Sequence, residues 1–146
     1  MSRSRGAALG LAVLLAATTL VGCGDGGGGG DDDGERSLDL DGHSYTSTEV
    51  RGRTLVTGTT VTLSFEDDRI SAQAGCNTLT GTATWTDGTL ATTGPLASTR
   101  MACEKGLTAQ DEWLSDFLTS QPAIALEEDT LTLGNDRNGM TLTEDS

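Results

Sequence analysis

The sequence has no apolar run long enough to cross a bilayer. The stretch AALGLAVLLAATTL, from Ala7 to Leu20, falls short of the roughly 20 residues that about 30 Å of hydrocarbon requires. Positive charge is scarce: nine Lys and Arg stand against 22 Asp and Glu. That balance argues against a nucleic-acid partner and against an electrostatic hold on anionic lipid, both of which need clustered Lys and Arg. Histidine occurs once, at His43, and no Cys-x-x-Cys pair occurs, so the usual zinc spacings are missing. There is no Gly-x-Ser-x-Gly nucleophile elbow either. No cofactor or metal is expected.

What is present begins with an address. Arg3 and Arg5 precede the Ala7–Leu20 run, and Leu20-Val21-Gly22-Cys23 follows. A basic start, a short apolar core and small residues before a cut describe an export signal over residues 1–22. The last four residues look like the bacterial lipobox, which implies cleavage before Cys23 and lipidation of its thiol. One acyl chain, at roughly 0.8 kcal/mol per buried CH₂, holds a protein marginally, whereas two or more anchor it. The expected location is therefore the extracytoplasmic face of a cell membrane, held there by covalent lipid.

Residues 24–35 read GDGGGGGDDDGE. Glycine and aspartate in this proportion bury no apolar area and cannot offset the entropy of ordering, so residues 23–36 form a flexible tether. Asp31, Asp32 and Asp33 lack the spaced ligands and closing Glu of a calcium loop. All 22 acids follow Cys23 while two of the nine basic residues precede it; seven against 22 leaves a formal charge of −15 on the mature chain. Residues 37–146 suffice for one compact domain.

In that domain the hydrophobic pattern has period two. HSYTST (43–48), TVTLSF (60–65), RISAQA (69–74), LTGTATW (79–85), TLAT (89–92), AIAL (123–126), TLTL (130–133) and MTLT (140–143) read as strands, with Asp87-Gly88 a strong hairpin signal. LTAQDEWLSDFLTS (107–120) departs from it: Trp113, Leu114, Phe117 and Leu118 form the apolar stripe of a helix. Thr108 and Asp111 suggest a capping box that starts the helix at about 108, and Pro122 stops it after 120. The expected class is α+β and mostly β, an antiparallel sheet or open (cracked) barrel with one packed helix. Trp85 and Trp113 are expected to join sheet to helix.

Cys76 and Cys103 are left over from the lipobox, and in an exported domain such a pair most often forms a disulfide. Closing about 27 residues would contribute roughly 3.5 kcal/mol in the chain-entropy model. A metal site or a reactive thiol is the alternative. Cys103 ends PLASTRMAC (95–103), where Ser98 and Thr99 sit beside Arg100, a combination that a hydrolase loop can show. Serine chemistry needs a base within hydrogen-bond reach, and His43 precedes Ser98 by 55 residues with nothing to mark it as one. Arg100 is expected to pair with an acid inside the domain, and Asn77 to satisfy backbone groups in a turn.

Gly75-Cys76-Asn77, Gly81, Leu90, the run Ser98-Thr99-Arg100-Met101-Ala102-Cys103, a helix with Glu112 and Phe117, and TLTL together resemble the META domain (HslJ-like) family. The likeness spans about residues 40–143. It departs at Gly42-His43-Ser44-Tyr45, where the family has a Trp-containing first strand. The resemblance implies a small β-rich domain, often lipid-anchored, linked to envelope stress or antibiotic tolerance and without established catalytic residues. The expected function is a non-catalytic, monomeric interaction module that meets an envelope protein. The alternatives are a carrier for a small apolar ligand or a partner's tail, a reading by fold analogy to the type III secretion pilotins, and, more weakly, a hydrolase.

Overall fold

The computed structural model describes residues 36–146. The expected export signal, the expected lipidation site Cys23 and the expected tether with Asp31–Asp33 lie outside the described residues. Among the described residues no helix is long and apolar enough to cross a membrane.

The eight period-two segments become strands and a short ninth, β6, is added to them: β1 (Ser44–Arg51), β2 (Thr62–Glu66), β3 (Arg69–Gln73), β4 (Thr78–Thr86), β5 (Thr89–Thr92), β6 (Ala97–Ser98), β7 (Ile124–Glu127), β8 (Thr130–Gly134) and β9 (Gly139–Glu144). They form one antiparallel sheet in the order β5-β4-β3-β2-β1-β9-β8-β7, with β6 also paired to β4. The two ends of that order nearly meet. Leu90 N donates to Pro122 O (2.9 Å) and Ile124 N to Gly88 O (3.0 Å), so β5 touches the start of β7. The result is a nearly closed, open barrel-like sheet. Near-closure is the physical solution to two exposed sheet edges.

Two hairpins turn tightly through left-handed backbone. Asp67 and Asp68 (φ 47° and 58°) link β2 to β3, and Asp87 with Gly88 (φ 52° and 73°) links β4 to β5. Positive φ at both central residues matches the right-handed twist of the flanking strands. The β8–β9 turn works differently. Asn135 Oδ1 accepts from Arg137 N (2.9 Å) and Asn138 N (3.0 Å), so a side chain shapes this loop.

Alternation delivers one face of each strand inward. Tyr45, Leu63, Phe65, Ile70, Ala72, Leu79, Ala83, Trp85, Leu90, Leu131, Leu133, Met140 and Leu142 are all buried in a single cluster. The barrel interior is filled by side chains. Phe65 stands at its centre, edge-on to Tyr45 (6.0 Å between rings) and to Trp85 (5.1 Å), the arrangement aromatic quadrupoles favour.

The helix α1 runs from Lys105 to Thr119 and adds Leu114, Phe117 and Leu118 to the cluster. It starts earlier than the 108 expected. Glu104 occupies the cap position without a side-chain cap bond, and its carbonyl receives Leu107 N and Thr108 N. Thr108 is therefore inside the first turn, its hydroxyl bonded back to Glu104 O, and the Thr108–Asp111 capping box does not form. Asp111 is engaged elsewhere. Both tryptophans take part in the joint between sheet and helix: Trp85 belongs to the barrel interior, and Trp113, half-buried against the same core, stacks on Phe117 (6.0 Å). The joint is completed by Leu114, Phe117 and Leu118, and by two polar residues beside them.

Candidate functional site

Those polar residues are Gln110 and Asp111, both buried, on the same stripe as Leu114, Phe117 and Leu118. Gln110 is fully enclosed. Its Nε2 donates to Ala74 O and to Thr59 Oγ1 (2.8 Å), and its Oε1 accepts from Val56 N (2.7 Å). One amide thus ties α1 to the end of β3 and to the 52–61 connection. Such bonds are what make burial of an amide tolerable.

Asp111 faces Asn77. Its Oδ2 accepts from Asn77 N and from Asn77 Nδ2, each at 3.0 Å. Asn77 Oδ1 accepts in turn from Met101 N (2.8 Å) and Thr99 Oγ1 (3.1 Å). Thr99 Oγ1 accepts from Thr78 N (3.0 Å), and Thr99 N donates to Thr78 O (3.0 Å). Asn77 is the hub: it holds the helix on one side and residues 99–101 on the other. The expectation that Asn77 satisfies backbone groups is met at Met101 N, across a longer loop than a local turn.

Cys76 and Cys103 are bonded as a disulfide. The cystine closes the same loop that Asn77 bridges, so two independent ties hold one segment. Gly75 (φ +127°) precedes the pair, and a Cβ there would crowd Leu107 Cδ2 (3.0 Å) and Thr59 Cγ2 (3.1 Å). Glycine is required both for that backbone angle and for the close approach of α1. Gly81 has a separate reason: Leu96 packs over its α-carbon, which lets residues 95–98 fold back along β4.

Of the PLASTRMAC residues, Ala97 and Ser98 pair with Thr80 and Leu79 as β6. Ser98 Oγ donates to Thr99 O (2.8 Å). His43 lies at the start of β1, its Nδ1 2.5 Å from Glu144 Oε1. The pairings Ser44–Ser64, Ser64–Ser71, Ser71–Thr80 and Thr80–Ala97 place four strand spacings, about 4.8 Å each, between that region and β6. The structure does not bring His43 and Ser98 together. Arg100 is exposed and belongs to neither of the two ion pairs among the described residues, His43–Glu144 and Arg51–Glu49. The internal partner expected for Arg100 is therefore missing, because its loop points the guanidinium outward. Beside it Met101 is 64% exposed, the most open large apolar side chain described.

Cys76, Cys103 and Asp111 have their ligand-type atoms within 4.8 Å of one another. With the two sulfurs bonded to each other neither presents a thiolate, so this trio does not fit a cation in the disulfide state. Asp111 Oδ1 is buried with no hydrogen-bond partner among the described residues. Neither Gln110 nor Asp111 stood out in the sequence as part of this site. The available signal was positional: two polar residues at i and i+1, followed by apolar ones at 114, 117 and 118, share the buried stripe.

The site lies at one end of β4, next to Thr78. At the other end Ser37 bridges to Thr86, and Arg36 is bonded through its backbone to Asp87. Nine strand residues separate them, about 30 Å at the strand rise. The 99–103 loop and residues Arg36–Ser37, where the described residues begin, are thus at opposite ends of the same strand.

No curated protein matches this chain significantly. Two solved structures are similar in fold, both determined by NMR. One is 27% identical, covers 71% of this chain and 90% of its own, with a TM-score of 0.58. The second, from Burkholderia xenovorans, is 22% identical, covers 73% and 84% respectively, and also has a TM-score of 0.58. The model of the META domain matches residues 38–146, nearly all of the described chain and about three quarters of the whole. With its GCN corner and its cystine-held TRMAC loop, the chain belongs to the META domain family.

Proposed function

We propose that the protein is a lipoprotein anchored through Cys23 on the extracytoplasmic face of a membrane, and that its META domain is a non-catalytic interaction module. The surface offered to a partner is the loop Thr99–Cys103. The observation that carries this reading is the combination of exposure and fixation in that loop. Met101 is 64% exposed while its own N–H is bonded to Asn77 and its neighbour Cys103 is in a disulfide. A side chain presented on a pre-ordered backbone loses little entropy when it is bound.

The position of the loop agrees with an anchored domain. It lies at the far end of β4 from Ser37, so a chain tethered through residues 23–36 can direct it away from the lipid surface. A filled barrel interior supports this reading over the carrier, which needs an apolar cavity between sheet and helix. An Ser98 hydroxyl bonded to Thr99 O, four strand spacings from the region of His43, gives the hydrolase no nucleophile–base pair.

The test has two arms. Cys23→Ser is expected to move the protein from the membrane to the soluble fraction, and unchanged fractionation would refute the anchor. A photo-crosslinking residue at Met101, compared with one at Asp136 on the β8–β9 turn, is expected to give a discrete adduct on intact cells at 101 alone. Equal labelling at both positions would remove the loop as the contact surface.

A further inference from the structure

A second feature adjoins the GCN corner through Thr59, which also faces Gly75, and lies between the middle of β1 and the 53–60 connection. We propose that this cleft binds a small carboxylic acid, with the Arg53 guanidinium as its anchor. The cleft measures about 360 Å³ and is lined by Ser47, Glu49, Val50, Arg53, Leu55 and Thr60, among others. That volume is within the range of small-ligand sites.

Arg53 is the reason to read it as a site. Residues 36–146 carry seven basic and 17 acidic residues, yet Arg53 makes no ion pair among the described residues. Its Nε is buried with no hydrogen-bond acceptor among the described residues. A charged donor taken out of water and left unmatched is costly, and an arginine whose only function was stability would be expected to find a carboxylate. The guanidinium is instead held over the Trp113 ring, 5.5 Å from its centroid. A cation–π contact of this kind restrains the guanidinium beside the cleft, and the paired N–H donors of an arginine suit a planar, two-oxygen partner.

The surroundings are fixed as well. Gly52 (φ +82°) turns the chain back immediately before Arg53, and Val56 N is bonded to Gln110 of α1. On the opposite wall the β1–β9 register shifts between Ser47 and Glu49, a bulge at Thr48 that alters how β1 faces the cleft. Thr54 and Thr60 supply exposed hydroxyls, and Val50 and Leu55 supply apolar surface for a short carbon chain. Glu49 lines the same cleft and the domain is acidic overall, so a monoanion is favoured over phosphate or another dianion.

The chemistry could come from a free short-chain acid or from the C-terminus of a peptide. The experiment is an NMR titration of the ¹⁵N-labelled full chain at constant ionic strength. The probes are propionate, N-acetyl-Ala-Ala, the carboxamide of N-acetyl-Ala-Ala, and sodium phosphate. Saturable shifts across Ser47–Val50 and Arg53–Thr60, together with the Arg53 Nε–H, are expected with the two acids and not with the carboxamide. Arg53→Gln should abolish them, and Arg53→Lys should weaken binding by about tenfold or more, because the two-pronged donor is lost. Thr54→Val with Thr60→Val, both at exposed positions, reports on the same site should Arg53→Gln fail to fold; it too should weaken binding. Tighter binding of N-acetyl-Ala-Ala than of propionate assigns the site to a peptide end, and the reverse order to a free acid. Equal response to the carboxamide or to phosphate, or binding unchanged in the folded variants, would overturn the proposal.

Discussion

Asn77 is buried, and each polar atom of its side chain and its backbone N–H meets a partner within the domain. Removing that side chain would leave the Asp111 carboxylate with one remaining donor, Asn77 N, and would free Met101 N and Thr99 Oγ1 together. Orphaned buried groups cost about 1–3 kcal/mol each and charged ones more, so Asn77→Ala is expected to destabilise the domain by about 3 kcal/mol. Urea denaturation measures this directly. A loss below about 0.5 kcal/mol, the ordinary range for a surface substitution, would show that the hub is dispensable. Tyr45 is informative for a different reason. It is the single tyrosine of the chain, and burial pushes its phenol above the ordinary value, with the carboxylates of Glu144, Asp39 and Asp129 pushing the same way. The folded state therefore holds the neutral form more firmly than the unfolded chain does. Its contribution to stability is complete below pH 10 and is lost as pH rises from there through the folded value. Tyrosinate absorbance should appear later in the folded protein than in urea, and Tyr45→Phe should flatten the alkaline fall in stability. Coincident titration curves would contradict the assignment.

At the scale of elements, the cystine and the helix act on the same loop. Cys76 and Cys103 are 27 residues apart, and cross-linking that span removes chain entropy worth about 3.5 kcal/mol from the unfolded state. Cys76→Ser with Cys103→Ser should lower stability by roughly that amount while leaving the 97–101 segment in place, since Asn77 and β6 hold it independently. The check is thermal unfolding with and without reductant, together with amide exchange at Met101. Loss of Met101 protection in the folded double variant would show that the cystine, not Asn77, orders the loop. The strands themselves were largely legible, because alternation of the kind in Ile70-Ser-Ala72-Gln has one physical meaning: one face in, one face out. Helix α1 was legible as an element but not in its first turn. Thr108 and Asp111 matched the pattern of a capping box, yet Asp111 is drawn to Asn77, a partner 34 residues away that no local rule sees. β6 was missed as a strand because two residues, Ala97 and Ser98, are too few for alternation to register.

Across the whole molecule, the fold follows from a chain with many short strands, one amphipathic helix and few large side chains. Eight of the nine described strands bury residues of one face, β6 being exposed, and bringing β5 against the start of β7 removes the open edges that such a sheet would otherwise expose. The length of β4 sets two ends apart, one beside Ser37 and the other carrying the GCN corner, and that separation underlies the proposed mode of action. The inner face of the sheet is occupied by core side chains, and the outer cleft at Arg53 holds a cation against Trp113. By itself, the sequence carried the strand pattern apart from β6, the helix apart from its first turn, the expectation that the two domain cysteines pair, and the family resemblance, because these rest on periodicity, composition and motif. Tertiary structure alone decided that Asp111 would meet Asn77, that Gln110 would lie enclosed between α1 and the 52–61 connection, that Arg100 would face solvent, and that Arg53 would rest on Trp113 without a carboxylate partner among the described residues. Each of those depends on which distant segments share a neighbourhood, and in a barrel that is set by strand order and register, which no stretch of chain specifies alone.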